Sequence, residues 1–218
     1  MANLSNEPVA LKGALVAFRL PNPNPQVISF QYNPQTLSRT LEVQSQASGD
    51  GGLGDVFRLT GAPVETIKLD AEIDAVDQLD AGSDIAAEMG IHPQLAALEL
   101  LLYPTVAHVV TNSVLLSLGT IEVIPAQSPF VLLVWGPKRV VPVRISEFSV
   151  TEEMFDTRLN PIRAKVSLGL RVLSYNDLSR THPGYSIFLA HQATKEAMAR
   201  LAPGTTLSSV TGGASLGV

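Results

Sequence analysis

The clearest periodicity in the chain is a strict alternation between Val64 and Ala75. There Ile67, Leu69, Ala71 and Ile73 face one way while Lys68, Asp70, Glu72 and Asp74 face the other. A period of two over this length predicts a strand with one face buried. The same pattern returns at 161–174, where Ile162, Ala164, Val166, Leu168, Leu170 and Val172 alternate with Arg163, Lys165, Ser167, Gly169 and Arg171. The first strand thus presents an acidic outer face and the second a basic one.

Weaker signals extend the count. Leu11–Leu20 is apolar and strand-like, Pro21–Pro25 carries alternating prolines that force a turn, and Gln26–Tyr32 returns as the second limb of a hairpin. Thr36–Ser45 predicts a further strand with Leu37, Leu41 and Val43 on one side, and Arg39 breaks that pattern. Strands are also expected at about 113–123, 130–136 and 138–150, with Asp156–Pro161 as a hairpin tip. After a turn over Asp77–Ser83, helical character is confined to Asp84–Met89, to Pro93–Leu102 with leucines three and four apart, and to Tyr185–Leu201 between two Pro-Gly pairs. About eight strands and two or three helices predict a β-rich α+β domain, an antiparallel barrel or sandwich with helices at its side or end. The expected organisation is an arm at 1–10, one domain at 11–204 and a small, polar, flexible tail at 205–218.

Composition narrows what such a domain could do. The 218 residues include no cysteine, which excludes disulfides, thiolate metal sites and cysteine nucleophiles. A net charge of −5 argues against nucleic acid, whose phosphates call for a surplus of Lys and Arg. The first residues lack the basic start and apolar centre of a secretory signal, and no apolar run reaches the ~20 residues that cross a bilayer. The expectation is a soluble protein made in the cytoplasm, without membrane insertion. Val106–Leu118 and Pro129–Trp135 read instead as buried strands.

Charge is unevenly placed. Nine acids face the single base Lys68 between Glu65 and Glu99, whereas eight bases outnumber five acids between Lys138 and Arg180. Two solvated faces of opposite sign and two complementary contact surfaces both account for this.

Catalytic and ligand motifs fail one by one. His92, His108, His182 and His191 lie far apart and each reads as a cap, turn or surface residue; no G-x-S-x-G elbow stands between a strand and a helix, the one such string, Gly213–Gly217, falling in the small, polar tail. The Gly49–Gly54 cluster precedes the strand-like 56–59 and not a helix, so it lacks the helix N-terminus that would hold a phosphate. Asp70, Glu72 and Asp74 have calcium-loop spacing, but Ala75 and Ala81 stand where glycine and a bidentate glutamate are required. No cofactor or metal is expected, and no enzymatic activity.

Three strings occur together in order: Phe30-Gln31-Tyr32-Asn33-Pro34-Gln35-Thr36-Leu37, Arg58-Leu59-Thr60-Gly61-Ala62-Pro63-Val64-Glu65-Thr66-Ile67, and Leu159-Asn160-Pro161-Ile162-Arg163-Ala164-Lys165-Val166. With the Gln78-Leu79-Asp80 continuation and the helix Ile91–Glu99, they resemble the tube-like baseplate family of extracellular contractile injection systems, of the antifeeding prophage and Photorhabdus virulence cassette type. The likeness covers roughly 11–202. It implies a tail-tube-like β-barrel that forms a homo-oligomeric six-fold ring, adapts the inner tube to the central spike or hub, and meets inner-tube, spike and other baseplate proteins. The implied particle is assembled in the cytoplasm and either stays there or is released. A LysM module, present in many members, is not found here, so peptidoglycan binding is not implied.

A tube or tube-initiator subunit would use the same barrel, and a cell-wall or glycan adapter is the remaining alternative. Asp70, Glu72, Asp74, Arg163, Lys165 and Arg171 are the expected inter-subunit flanks. The long 46–63 loop, with Gly51, Gly52, Phe57 and Arg58, and the hairpin tip, with Arg158 and Asn160, are the expected contacts to axial neighbours.

Overall fold

A computed structural model describes residues 11–19, 22–45, 58–117, 128–202 and 204. The expected N-terminal arm, the C-terminal tail and most of the 46–63 loop, including Gly51, Gly52 and Phe57, lie outside the described residues.

The strands are β1 (Ala14–Arg19), β2 (Asn22–Ser29), β3 (Leu37–Glu42), β4 (Val64–Asp74), β5 (Phe130–Val134), β6 (Val140–Phe155) and β7 (Pro161–Val172). They form one antiparallel sheet in the order β2-β1-β5-β6-β7-β4-β3. Its middle is long: β7 pairs with β4 from Arg171↔Thr66 to Arg163↔Asp74 and with β6 from Val172↔Val143 to Pro161↔Phe155. The inner positions of this ladder, among them Ile67, Leu69, Ala71, Ala164, Val166, Leu168 and Leu170, are buried as their alternation predicts.

The sheet is rolled. Within four residues after β2, the Gln31 side chain accepts from the Asp74 backbone N–H at 3.0 Å and the Asn33 side chain accepts from that of Gly13 at 2.8 Å. Asp74 ends β4 and Gly13 precedes β1, strands four places apart in the sheet order. A flat sheet would set them ~19 Å apart at ~4.8 Å per strand. Only a curled, staggered sheet lets one short segment touch both.

The roll does not close. No ladder joins β2 to β3 among the described residues, so the expected closed barrel is corrected to an open seven-stranded sheet. Its chemistry explains the gap: β2 begins Asn22-Pro23-Asn24-Pro25, and prolines, lacking an N–H, belong on edges. Pro23 and Pro25, expected in the turn, are thus inside the strand, with Asn22 already paired to Arg19, and Pro21 lies outside the described residues.

Helices are more numerous than expected: α1 (Val76–Asp80), α2 (Asp84–Met89), α3 (His92–Glu99), α4 (Val106–Ser117) and α5 (Pro183–Ala199). The strand expected at 113–123 is corrected by α4; positions 118–123 lie outside the described residues. Its valines have strand propensity, yet Val106, Val109, Val110 and Val114 recur at three and four, and the Thr105 hydroxyl accepts the His108 N–H at 3.3 Å to start the helix. Nor is this segment buried as expected: no residue of α4 is. Instead α3 contributes Leu95 and Leu98, and α5 Phe188, to the single core enclosed by the sheet. No helix among the described residues is long and apolar enough to cross a membrane.

Candidate interaction surfaces

The acidic and basic strand faces meet each other inside the chain. Asp74 lies opposite Arg163, Glu72 opposite Lys165, and Asp70 opposite Ser167. Arg163 Nη2 sits 2.6 Å from Asp74 Oδ2, the Ser167 hydroxyl donates to Asp70 at 2.6 Å, and Lys165 pairs with Glu153 on β6 at 3.2 Å. Burial works to raise the Asp74 carboxyl, but the Val76 backbone N–H and Arg163 together hold it below its ordinary value. Arg171 donates to Asp177 at 2.8 Å in the turn after β7. Reversing Arg163 would therefore break an internal pair, and its effect on assembly would be indirect.

One row of this face depends on a residue without a side chain. Lys68 and Glu147 flank Gly169 on the two sides of β7 and bridge across it at 2.7 Å. A Cβ on Gly169 would stand 2.8 Å from the Glu147 Cβ.

The hairpin tip is docked, not free. Asp156 Oδ1 accepts from the backbone N–H groups of Arg158 and Asn160 at 2.7 and 2.8 Å, and Oδ2 from the Asn160 amide at 2.8 Å. These contacts hold the Asp156 carboxyl below its usual value, the Asn160 side chain being the largest cause. The Asn160 amide also donates to the Glu88 carbonyl at 3.1 Å, and Arg158 donates to that of Ala87. Both are terminal carbonyls of α2, orphaned by helix geometry. What projects is apolar: Leu159 is 78% exposed, and Met154 and Phe155 are also exposed. Arg58 is exposed at the border of the loop whose other expected contacts lie outside the described residues.

Among the described residues one side of β6 has no strand. β5 meets β6 only at Val140–Val143, and from Ile145 to Phe155 the sole ladder among the described residues is the one with β7. A bulge between Ile145 and Glu147 marks the change. β3 is the other such border of the same four-stranded region, and four of its six residues are exposed.

Sequence reasoning missed a charged cluster on the inner side of the roll. Glu65, in phase with Ile67 and Leu69, is only 5% exposed. Arg39 Nε lies 2.6 Å from its Oε1, and Lys195 Nζ on α5 lies 3.2 Å from its Oε2. Burial alone would raise the Glu65 carboxyl; the Arg39 hydrogen bond and the Lys195 charge outweigh it and hold the group low. Arg139, at the end of the β5–β6 turn, also feels Glu65 and Arg39. His191, expected at a cap, turn or surface, is corrected to a buried residue of α5, 7% exposed. His182 does cap α5, its Nδ1 accepting from the Gly184 N–H at 3.0 Å. Two signals for the cluster were present in the chain: an acid at an inward position of β4, and Arg39 interrupting an apolar face.

A groove of about 850 Å³ opens between β1, β5 and the starts of α4 and α5, bordered by Phe18, His108, Phe130, Arg144, Leu178 and Ile187 among others. Among the described residues no carboxylate lines it, and its titratable groups are His108, His182, Arg19 and Arg144. Among the described residues no group of three His, Asp or Glu side chains is arranged to hold a metal.

No family model matches the chain, and no curated protein matches it. Among solved structures, a chain of the anti-feeding prophage (AFP) baseplate, determined by cryo-electron microscopy and 6-fold symmetrised, matches over 78% of this chain and 94% of its own, at 17% identity and a TM-score of 0.27.

Proposed function

We propose that the chain is a structural, non-catalytic baseplate subunit of a contractile injection particle, forming a six-fold ring that adapts the inner tube to the central spike or hub. The observation that carries the reading is the pair of borders, β6 beyond Arg144 and β3, that carry no further strand among the described residues, on opposite sides of one four-stranded region. Long unpaired strand borders are liabilities unless a partner covers them. A β6 border placed against the β3 border of the next copy is a head-to-tail contact, which closes into a ring when the rotation per subunit allows.

The strings that carry the family resemblance support the reading from a second direction, because they build the fold. Gln31, Tyr32 and Asn33 fasten the rolled sheet: Gln31 and Asn33 as described, and Tyr32 by donating to Asp77 at 3.0 Å. The Asn160-Pro161 string fastens the tip to α2 and α3, where the Ile91 N–H donates to the Pro161 carbonyl at 2.9 Å. The exposed Leu159 and Met154 provide apolar contact for an axial neighbour.

The test is a lysine at the β6 border. Ser149 is exposed on that strand, so Ser149→Lys, a charge of the kind that blunts strand borders, should leave circular dichroism native-like while abolishing rings in negative-stain images and in sedimentation of the purified chain. Rings of unchanged abundance from this variant would refute the border contact. Cryo-electron microscopy of the purified particle, counting copies, checks the position and the six-fold number.

A further inference from the structure

The inner cluster holds more positive charge than its one acid balances. Glu65 is shared by Arg39 and Lys195. Arg139, partly buried, adds a third cation near them. The fourth member is His191, one helical turn before Lys195 on α5 and therefore on the same face of that helix. Its Nδ1 is buried with no partner among the described residues. Its ring feels Lys195, Glu65, Arg39 and Arg139.

A buried polar atom without a partner costs free energy, and so does a surplus of like charge drawn partly out of water. Both costs are relieved by an anion with several acceptor oxygens. Arg39 and Lys195 keep part of their side chains in solvent, at 28% and 37% exposure, so the cluster has an open side through which such a group can enter. Arg139 brings a planar fork of donors suited to paired oxygens.

We propose that Arg39, Arg139, Lys195 and His191 form a binding site for an oxyanion, a phosphate or carboxylate group, with Glu65 fixing the two flanking cations in place. Arg39 and Lys195, held on Glu65, supply two charges, Arg139 adds a third, and the protonated ring nitrogen of the fitting His191 tautomer donates to an oxygen. The site is built within one chain, its residues lying on β3, β4, α5 and the β5–β6 turn, with Arg39 on the strand proposed to meet the next copy.

Inorganic phosphate and succinate are titrated into the full chain at fixed pH, with sodium chloride at matched ionic strength as the control. Binding is read from the ¹⁵N and ¹H shifts of the His191 ring and from thermal stability. Saturable shifts with phosphate but not succinate identify a phosphate site; shifts with succinate identify carboxylate recognition. Arg139→Gln should weaken the response about tenfold, the loss of one charge-assisted contact, and Lys195→Gln should do likewise, with circular dichroism unchanged in both. A response no greater than that to chloride, or one untouched by Arg139→Gln and Lys195→Gln alike, overturns the proposal.

Discussion

Glu65 shows how a single inward-facing acid reorganises its surroundings. Placed on the apolar face of β4, it would be costly alone, and Arg39 and Lys195 converge on it from a neighbouring strand and a helix. Its carboxyl and that of Asp74 are held low by these partners, and burial, more than the neighbouring cations, pushes the His191 imidazole low. In every case the folded chain binds fewer protons than the unfolded one, so stability rises with pH. The His191 contribution is complete above about pH 6.5 and is lost as pH falls through its lower folded value. The carboxylate contribution is complete above about pH 4 and is lost below that, through the lower folded values. Urea midpoints measured across this range should fall in two stages, and His191→Gln should remove the upper stage while leaving the lower.

At the scale of elements, the tip of β6–β7 acts as the C-terminal cap of α2. Asn160→Ala removes the side-chain bonds to Asp156 and to the Glu88 carbonyl, and should cost about 1–3 kcal/mol in urea unfolding. Faster amide hydrogen exchange in α2 than in β7 would locate the loss at the helix. The elements were unequally legible in the chain. β4 and β7 were plain because one side chain in two is apolar and both strands are half-buried. α4 was not, because Val106, Val109, Val110 and Val114 favour strands by type while their spacing favours a helix, and no burial on one face settles the matter. The charged cluster was visible only in pieces. The anomalies of Glu65 and Arg39 could be seen, but their meeting depends on the β3–β4 register, which sets Leu41 opposite Glu65, and on where α5 comes to rest.

For the whole molecule, the decisive contacts are those that keep the sheet rolled. Asn33→Ala deletes the bonds to the Gly13 N–H and, at 2.8 Å, to the Leu11 carbonyl. It should lower stability by about 1–2 kcal/mol and alter the fluorescence of Trp135, whose ring lies against Gly13 and Phe30. The acidic and basic faces, legible from the chain, lie beside each other because β4 and β7 are neighbours, which no local pattern could reveal. The strand order also dictates a sequence in time. β6 and β7 are joined by a short tip and can pair as soon as both exist, whereas β1 must wait for β5, Ala14 meeting Val134 across more than half the chain. Loop closure of that span is slow, so a chain emerging from the ribosome holds its first hairpin unmatched until β5 is made, and β4, whose ladder is with β7, stays uncovered on that side until the last strand follows.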